Sequence, residues 1–526
     1  MKNTTKVLAL LLSLIMMLSV ATIGSFATDA ATTSPWDGVA VSTSFIGSGT
    51  EADPYLIQSA ADLKYLADKV NDGTLDTDGK YFKQTVDIDL ADKPWTPIGN
   101  DQKSIGEGEA ATNPGFSGIY DGNYMTIKGL NVTDESASFT VEVPATDTAP
   151  ASTETRYGGA ALFGYTKVPT ENGVNTEIKN LAVFGKVNTT KPVSNAGLIA
   201  VSDCAHITNC YVDVDVTVDG DADGDITVEG NGKYVAGIAA NTTMELIIDS
   251  TVNAGDIVVT GITVGVYAGN FTGYSRGGVN SYTSRTMKNC YGLGDVTVTA
   301  TGTNSGSTSN DTTIRAGGMT AGIYNGIYIV NSHFYGTFNL NYSADLSTYP
   351  MKNNALDAAK LPRVGYFAGG LGYWPANTIL GANVVLGCTC LIPENVTVSK
   401  SINAAITGEG VMALVGGGTS ITFNETGSID IITEAPAVPY KVANMFLVEV
   451  VVEEETTEEP TTEEETTVEP EDDDDETTGK TETNAPETDD KSGDDKKDSG
   501  CASVVGGLSV IAIVAGAALV LVKKKD

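Results

Sequence analysis

Between Ile178 and Phe338 the chain repeats one ten-residue pattern five times, with aliphatic residues at alternating places and polar or glycine residues between them. The copies begin at Ile178, Ile207, Ile248, Met287 and Ile329 and end at Val187, Val216, Ile257, Val296 and Phe338. Glycine holds the eighth place in Gly185, Gly255, Gly294 and Gly336, whereas Val214 replaces it in the second copy and predicts a different bend there. The starts lie 29, 41, 39 and 42 residues apart, a spacing at which a recurring motif marks stacked supersecondary units. A second signature precedes the copies: Ala196-Gly197-Leu198-Ile199, Ala236-Gly237-Ile238-Ala239, Ala268-Gly269-Asn270-Phe271 and Ala316-Gly317-Gly318-Met319. It returns as Ala368-Gly369-Gly370-Leu371 before the apolar run Val384-Val385-Leu386. Short strands joined by glycine bends, stacked so that like falls on like, predict an all-β parallel solenoid. A β-sandwich has no reason to repeat such a motif.

Upstream, the period changes. Ser59 with Asp62 three places on forms a capping-box pattern, and Leu63, Leu66 and Val70 then share one helical face that Asp72-Gly73 ends. Such a helix is expected to cap the first coil, because an uncovered sheet edge invites strand addition. Trp95 and Phe116, beside glycine bends, are expected in the core. Trp374 is the better candidate for an exposed aromatic, although packing is favoured there too.

The two ends define the compartment. Lys2 and Lys6, the apolar run Val7 to Val20 and the small-residue site Ser25-Phe26-Ala27 read as a signal peptide over 1–29, followed by a linker over 30–44. The solenoid is expected over 45–450. An acidic spacer follows over 451–500, in which 453–498 holds 22 acidic and 4 basic residues, half of the chain's net charge of −36. Such a tract cannot bury enough apolar surface to offset chain entropy, so it is expected to be disordered and extended. Residues 501–526 close with an uncharged run over 502–522, long enough to cross a bilayer, and Lys523-Lys524-Lys525 on the cytoplasmic side. Ala485-Pro486-Glu487-Thr488-Asp489 has the outline of a wall-sorting signal but lacks its leucine and glycine, so a simple membrane anchor is expected. Cys501 is a candidate acylation site. The acidity argues against nucleic-acid partners, because the counterion contribution has the wrong sign.

Chemistry-bearing residues are few. Cys204, Cys210, Cys290, Cys388, Cys390 and Cys501 show no metal-ligand spacing. Cys210 and Cys290 take the repeat's fourth place, filled elsewhere by Leu181, Thr251 and Ser332, which reads as a small inward slot with free thiols. A Cys204–Cys210 bridge stays open as an alternative. Asp219, Asp221, Asp223 and Asp225, with Gly224 and Ile226, space their carboxylates as a calcium loop does, although Gly230 stands where a bidentate glutamate is required. No other cofactor is called for. The two histidines, His206 and His333, lie in or beside the strand motifs and read as structural.

The Ala/Gly-Gly-Leu/Ile signature followed by Ile-x-Asn-Cys-Tyr-x-x-Gly-x-Val resembles the GLUG repeat of bacterial surface proteins. The leader is similar too: Gly47 to Ile57, Gly79-Lys80-Tyr81-Phe82, Asp87-Ile88-Asp89-Leu90, Trp95 to Gly99 and Phe116 to Asn123. The resemblance covers about 45–400 and implies a right-handed, pectate-lyase-like β-helix. Hydrolases of that fold carry clustered aspartates with Gly-His-Gly and Arg-x-Lys, and lyases a basic residue beside calcium-binding carboxylates. Neither histidine here is flanked by glycines, and Arg156, Arg276, Arg285, Arg315 and Arg363 fit no such pattern. The expected function is therefore non-catalytic: a surface protein of a Gram-positive-type bacterium contacting a host, a neighbouring cell or a glycan. A polysaccharide lyase or glycosidase on the same scaffold is the alternative.

Overall fold

The computed structural model describes residues 34–449 apart from several internal stretches, of which 101–113, 221–232, 277–284, 303–313, 372–382 and 401–411 are the longest. The fold is all-β. Thirty strands belong to one sheet whose pairings are parallel, and helix α1 (Ala60–Asn71) is the one helix among the described residues. Three antiparallel hairpins stand apart from it, the longest pairing Ser138–Val143 with Ser152–Tyr157. Most strands of this sheet pair with counterparts one turn earlier and one turn later, in keeping with a β-helix.

The register shows how the repeats stack. Ile178 pairs with Ile207, Ile207 with Ile248, Ile248 with Met287, Met287 with Ile329, and Ile329 with Val385. The column continues toward the N-terminus through Tyr120, Phe82 and Tyr55. A second column joins Val132, Val187, Val216, Ile257, Val296 and Phe338. From Phe82 onward both columns are buried, and removing each such side chain from water contributes roughly 1.5–3 kcal/mol.

Bends stack as closely as strands. Leu198, Ile238, Phe271, Met319 and Phe367 are buried at the same corner. Their main chains are tied from turn to turn, as in Phe271 N–H to Met319 O at 2.9 Å and Met319 N–H to Phe367 O at 2.7 Å. Glycine precedes Leu198, Ile238 and Met319 for a steric reason, as at Gly237, where a Cβ would lie 2.2 Å from the Asn253 side chain. At the repeat's eighth place, Cβ atoms on Gly255, Gly294 and Gly336 would meet the preceding turn's carbonyl at 2.2, 2.0 and 2.2 Å. There the strands break in two, as in Val252–Asn253 and Ile257–Ile262. With Val214 the strand Tyr211–Asp219 instead runs straight through.

Helix α1 starts where Ser59 accepts from Asp62 N–H and buries Leu63, Leu66, Ala67 and Val70. Within 30–44, the stretch expected to be a linker, Ser34 to Ser44 is mostly exposed, and Trp36 is the one buried residue among those described. Trp36 is 4% exposed, meets Trp95 edge-to-face at 6.0 Å and donates its main-chain N–H to Asp89 O. Trp95 and Phe116 are fully buried, as the sequence predicts.

The third residue of each repeat adopts the left-handed conformation: Asn180, Asn209, Ser250, Asn289 and Asn331 have φ of 52°, 52°, 49°, 55° and 46°. Left-handed backbone costs other L-residues about 1–2 kcal/mol and asparagine less. Asn289→Val is expected to lower unfolding free energy by about 2 kcal/mol and Asn289→Gly by under about 1 kcal/mol. Urea unfolding monitored by circular dichroism measures both.

Candidate ligand-contact surface

The strand alternation aims every second column outward, and three kinds of outward column result. The first is polar and self-bonding. Asn209 donates to Asn180 Oδ1 at 2.9 Å, Asn331 to Asn289 Oδ1 at 2.9 Å, and Asn180 to Asp121 Oδ1 at 3.0 Å. The second is acidic. Asp215, Asp256 and Asp295 occupy the ninth place in consecutive turns, where like charges repel. Each carboxylate accepts the N–H of the next turn, from Asp256 at 3.1 Å, Asp295 at 2.8 Å and Thr337 at 2.6 Å. Burial and the charges of Asp215 and Asp256 push the neighbouring Asp213 carboxyl upward. The third is aromatic and largely covered: Tyr291 meets its register partner His333 at 4.9 Å, and Phe184, itself paired with Asp213, meets Tyr211 at 5.7 Å.

A tyrosine cluster lines the outside of the Ala-Gly corner. Tyr234, Tyr267 and Tyr274 lie 5.1–5.3 Å apart over a floor of Ala196, Ala200, Ala236 and Ala240. The Arg315 guanidinium sits 5.3 Å above the Tyr267 ring, continuing the column. Alanine at these floor positions lets the rings close over the corner. Tyr274 remains half-buried.

Both histidines are tied into consecutive turns. A bulge between Ser202 and Cys204 places Glu245 opposite Cys204, and Glu245 meets His206 Nε2 at 2.5 Å. In the same bulge Asp203 accepts from the Tyr165 and Thr243 hydroxyls. His333 Nδ1 lies 2.7 Å from Thr389 Oγ1 and Nε2 3.2 Å from Asn331 Oδ1, and burial pulls its pKa down to about 4.

The fourth-place slot is filled by groups that are small and can donate. Cys210, Cys290 and Cys388 are buried free thiols donating to carbonyls of their own and the preceding turn, as does Ser332, while Thr251 donates to Asp249 O of its own turn. Burial pushes all three thiols up to about 12. Cys204 is also free, so no Cys204–Cys210 bridge forms. The sequence did not announce Arg285, whose partner one turn back is the core residue Leu246. It is 3% exposed and donates to Gly326 O at 3.3 Å, and burial lowers its pKa to about 10.

Of the expected calcium ligands, Asp219 ends the strand Tyr211–Asp219, while Asp221, Asp223 and Asp225 lie outside the described residues. Among the described residues no three metal-ligating side chains converge, and no helix is long and apolar enough to cross a membrane. The signal peptide, Trp374, the 451–500 spacer, Cys501 and the 502–522 span also lie outside the described residues.

No known family profile matches the chain. Halomucin of Haloquadratum walsbyi is 26% identical over 174 residues, which is 32% of this chain and 2% of that protein's length. The chain therefore spans a small fraction of the curated relative it matches. A solved structure described as a candidate immunoglobulin A1 protease from Bacteroides ovatus is similar over 72% of this chain and 87% of its own, at 17% identity and a TM-score of 0.38.

Two measurements follow from the interior groups. With Cys501 replaced by serine, native protein is expected to resist thiol labelling at pH 8, and all five remaining cysteines to react after denaturation. The neutral form of His333 is the folded form, while the unfolded residue protonates near 6.5. Its contribution is thus intact above about pH 6.5 and is lost as pH falls toward about 4, by roughly 2–3 kcal/mol in all. His333→Gln should flatten that stretch of the stability–pH curve.

Proposed function

We propose that the chain is a non-catalytic cell-surface protein: a right-handed β-helix of GLUG-type repeats, lifted by an acidic spacer from a membrane anchor over 502–522, that contacts a host component, a neighbouring cell or a glycan. The observation that carries this reading is the in-register stacking of outward positions, of which the asparagine column and the Asp215, Asp256 and Asp295 column present like side chains at one-turn intervals. A partner with its own repeat can meet such a surface at several points at once, and effective concentration then multiplies weak contacts. Helix α1 and the segment from Ser34 to Ile46, anchored by Trp36, serve as the cap in this reading. Ile46 bridges Leu56 of the first strand, and Asn71 Nδ2 donates to Pro97 O while its Oδ1 accepts from Gly99 N–H. No cofactor is required, although the acidic 219–229 loop is where calcium would bind.

Displayed on a non-adherent bacterium, the full chain is expected to confer retention on host cells or glycan-coated surfaces and to release no products from polysaccharides. Deleting 453–498 should reduce retention of cells severalfold while leaving ligand binding by the purified chain unchanged. Product release from uronic-acid polysaccharides, or retention equal to that of undecorated cells, would overturn the reading.

A further inference from the structure

The loop over 47–54 and the outer face of the first strands line a half-open groove with a volume of about 520 Å³, within the range of small-ligand sites. Its floor crosses three turns of the sheet. Tyr81, Lys83 and Thr85 lie on or just after the strand Tyr81–Gln84, Asp121 comes from the next turn, and Lys179 from the one after. Glu51 closes one side, and Ile119 with Pro54 supplies apolar wall.

Three properties indicate the kind of occupant. The first is charge balance: two carboxylates, Glu51 and Asp121, face two ammonium groups, Lys83 and Lys179. The lining thus carries no excess of either sign. The second is free hydrogen-bonding capacity. The Asp121 and Lys179 groups are engaged, with Asn123 N–H and Asn180, and with Glu177 at 2.7 Å. Among the described residues, by contrast, Lys83 and Glu51 have no hydrogen-bond or ion-pair partner. Thr85 Oγ1 is buried without a partner, a condition that costs about 1–3 kcal/mol unless a bound group or water satisfies it. The third is a half-buried tyrosine ring, Tyr81, beside an aliphatic wall.

A site that offers both donors and acceptors around an aromatic face, with no net charge, suits a ligand rich in hydroxyls. A hydroxyl donates to Glu51 and accepts from Lys83 with one atom type, and the C–H face of a sugar ring packs on Tyr81. We infer that this groove is a binding site for a neutral oligosaccharide, placed at the end of the molecule carrying helix α1. This rests on the contact role proposed above and assigns it to a particular site.

The test uses the full chain in detergent and an array of immobilised neutral oligosaccharides, with uronic-acid oligosaccharides as a second set. Neutral glycans should be retained. Tyr81→Ala should weaken binding by more than about 10-fold and Thr85→Val by about 3–10-fold, the latter being isosteric so that folding is preserved. Unchanged circular dichroism melting of Thr85→Val would verify that. Glycan binding by the wild type that neither substitution alters would overturn the site while leaving the contact role standing. Binding confined to the uronic-acid set would overturn the neutral-ligand assignment. Adhesion of displaying cells with no glycan retained on the array would overturn the site, and absence of both would overturn the contact role as well.

Discussion

Parallel, in-register stacking is the constraint from which the rest follows. It sets each residue about 4.8 Å from its counterpart one turn away, so every side chain must be compatible with a copy of itself. Asparagine satisfies this, because its amide donates on one side and accepts on the other, as Asn180 and Asn289 do. Cysteine, threonine and serine satisfy it in the interior slot, where each donor reaches a carbonyl and none needs a partner of its own kind. Aspartate satisfies it only with help. In the column Asp215, Asp256 and Asp295, the main-chain N–H of each next turn offsets repulsion that bare carboxylates would suffer.

The same constraint creates an exposed edge wherever stacking stops. At the N-terminal end Trp36 bonds the main chain of Asp89, and Ile46 bridges Leu56 in the antiparallel sense. Trp36 also fills the space beside Trp95, which links this end to core packing.

How much of this could be read from residues alone depended on whether a feature repeats. Ile178, Ile207, Ile248, Met287 and Ile329 announce a column because they recur at one place in a motif. Gly255, Gly294 and Gly336 announce their bend in the same way. Asparagine at the third place recurs in four of five copies and was legible as a pattern, but its reason is a left-handed φ that only the backbone reveals. Features that occur once left no signal. Arg285 looks like a surface cation until its register partner proves to be Leu246. Trp36 lay in a stretch of small and polar residues that reads as linker. Glu51, Lys83 and Thr85 belong to separate segments, and no spacing rule links them.

The Val214 exception shows that the coil is not uniform along its axis. Glu177–Thr189 and Tyr211–Asp219 are continuous strands, whereas the later turns break into pairs at the glycine. Gly185 lies inside the continuous strand Glu177–Thr189, so glycine alone does not break a strand, and the break sets in from Gly255 onward. The outer surface changes with it. Turns near helix α1 carry lysine and carboxylate side chains around a groove, and later turns carry threonine and asparagine, as in Thr297 with Asn339 and Thr299 with Asn341. A strictly uniform column of one residue type gives a partner no means of choosing where to bind along the axis. Variation imposed on a fixed register gives it one, since the backbone holds position while the side chains differ. Specificity in such a scaffold therefore resides in the turns that depart from the repeat, and the first turns depart from it most.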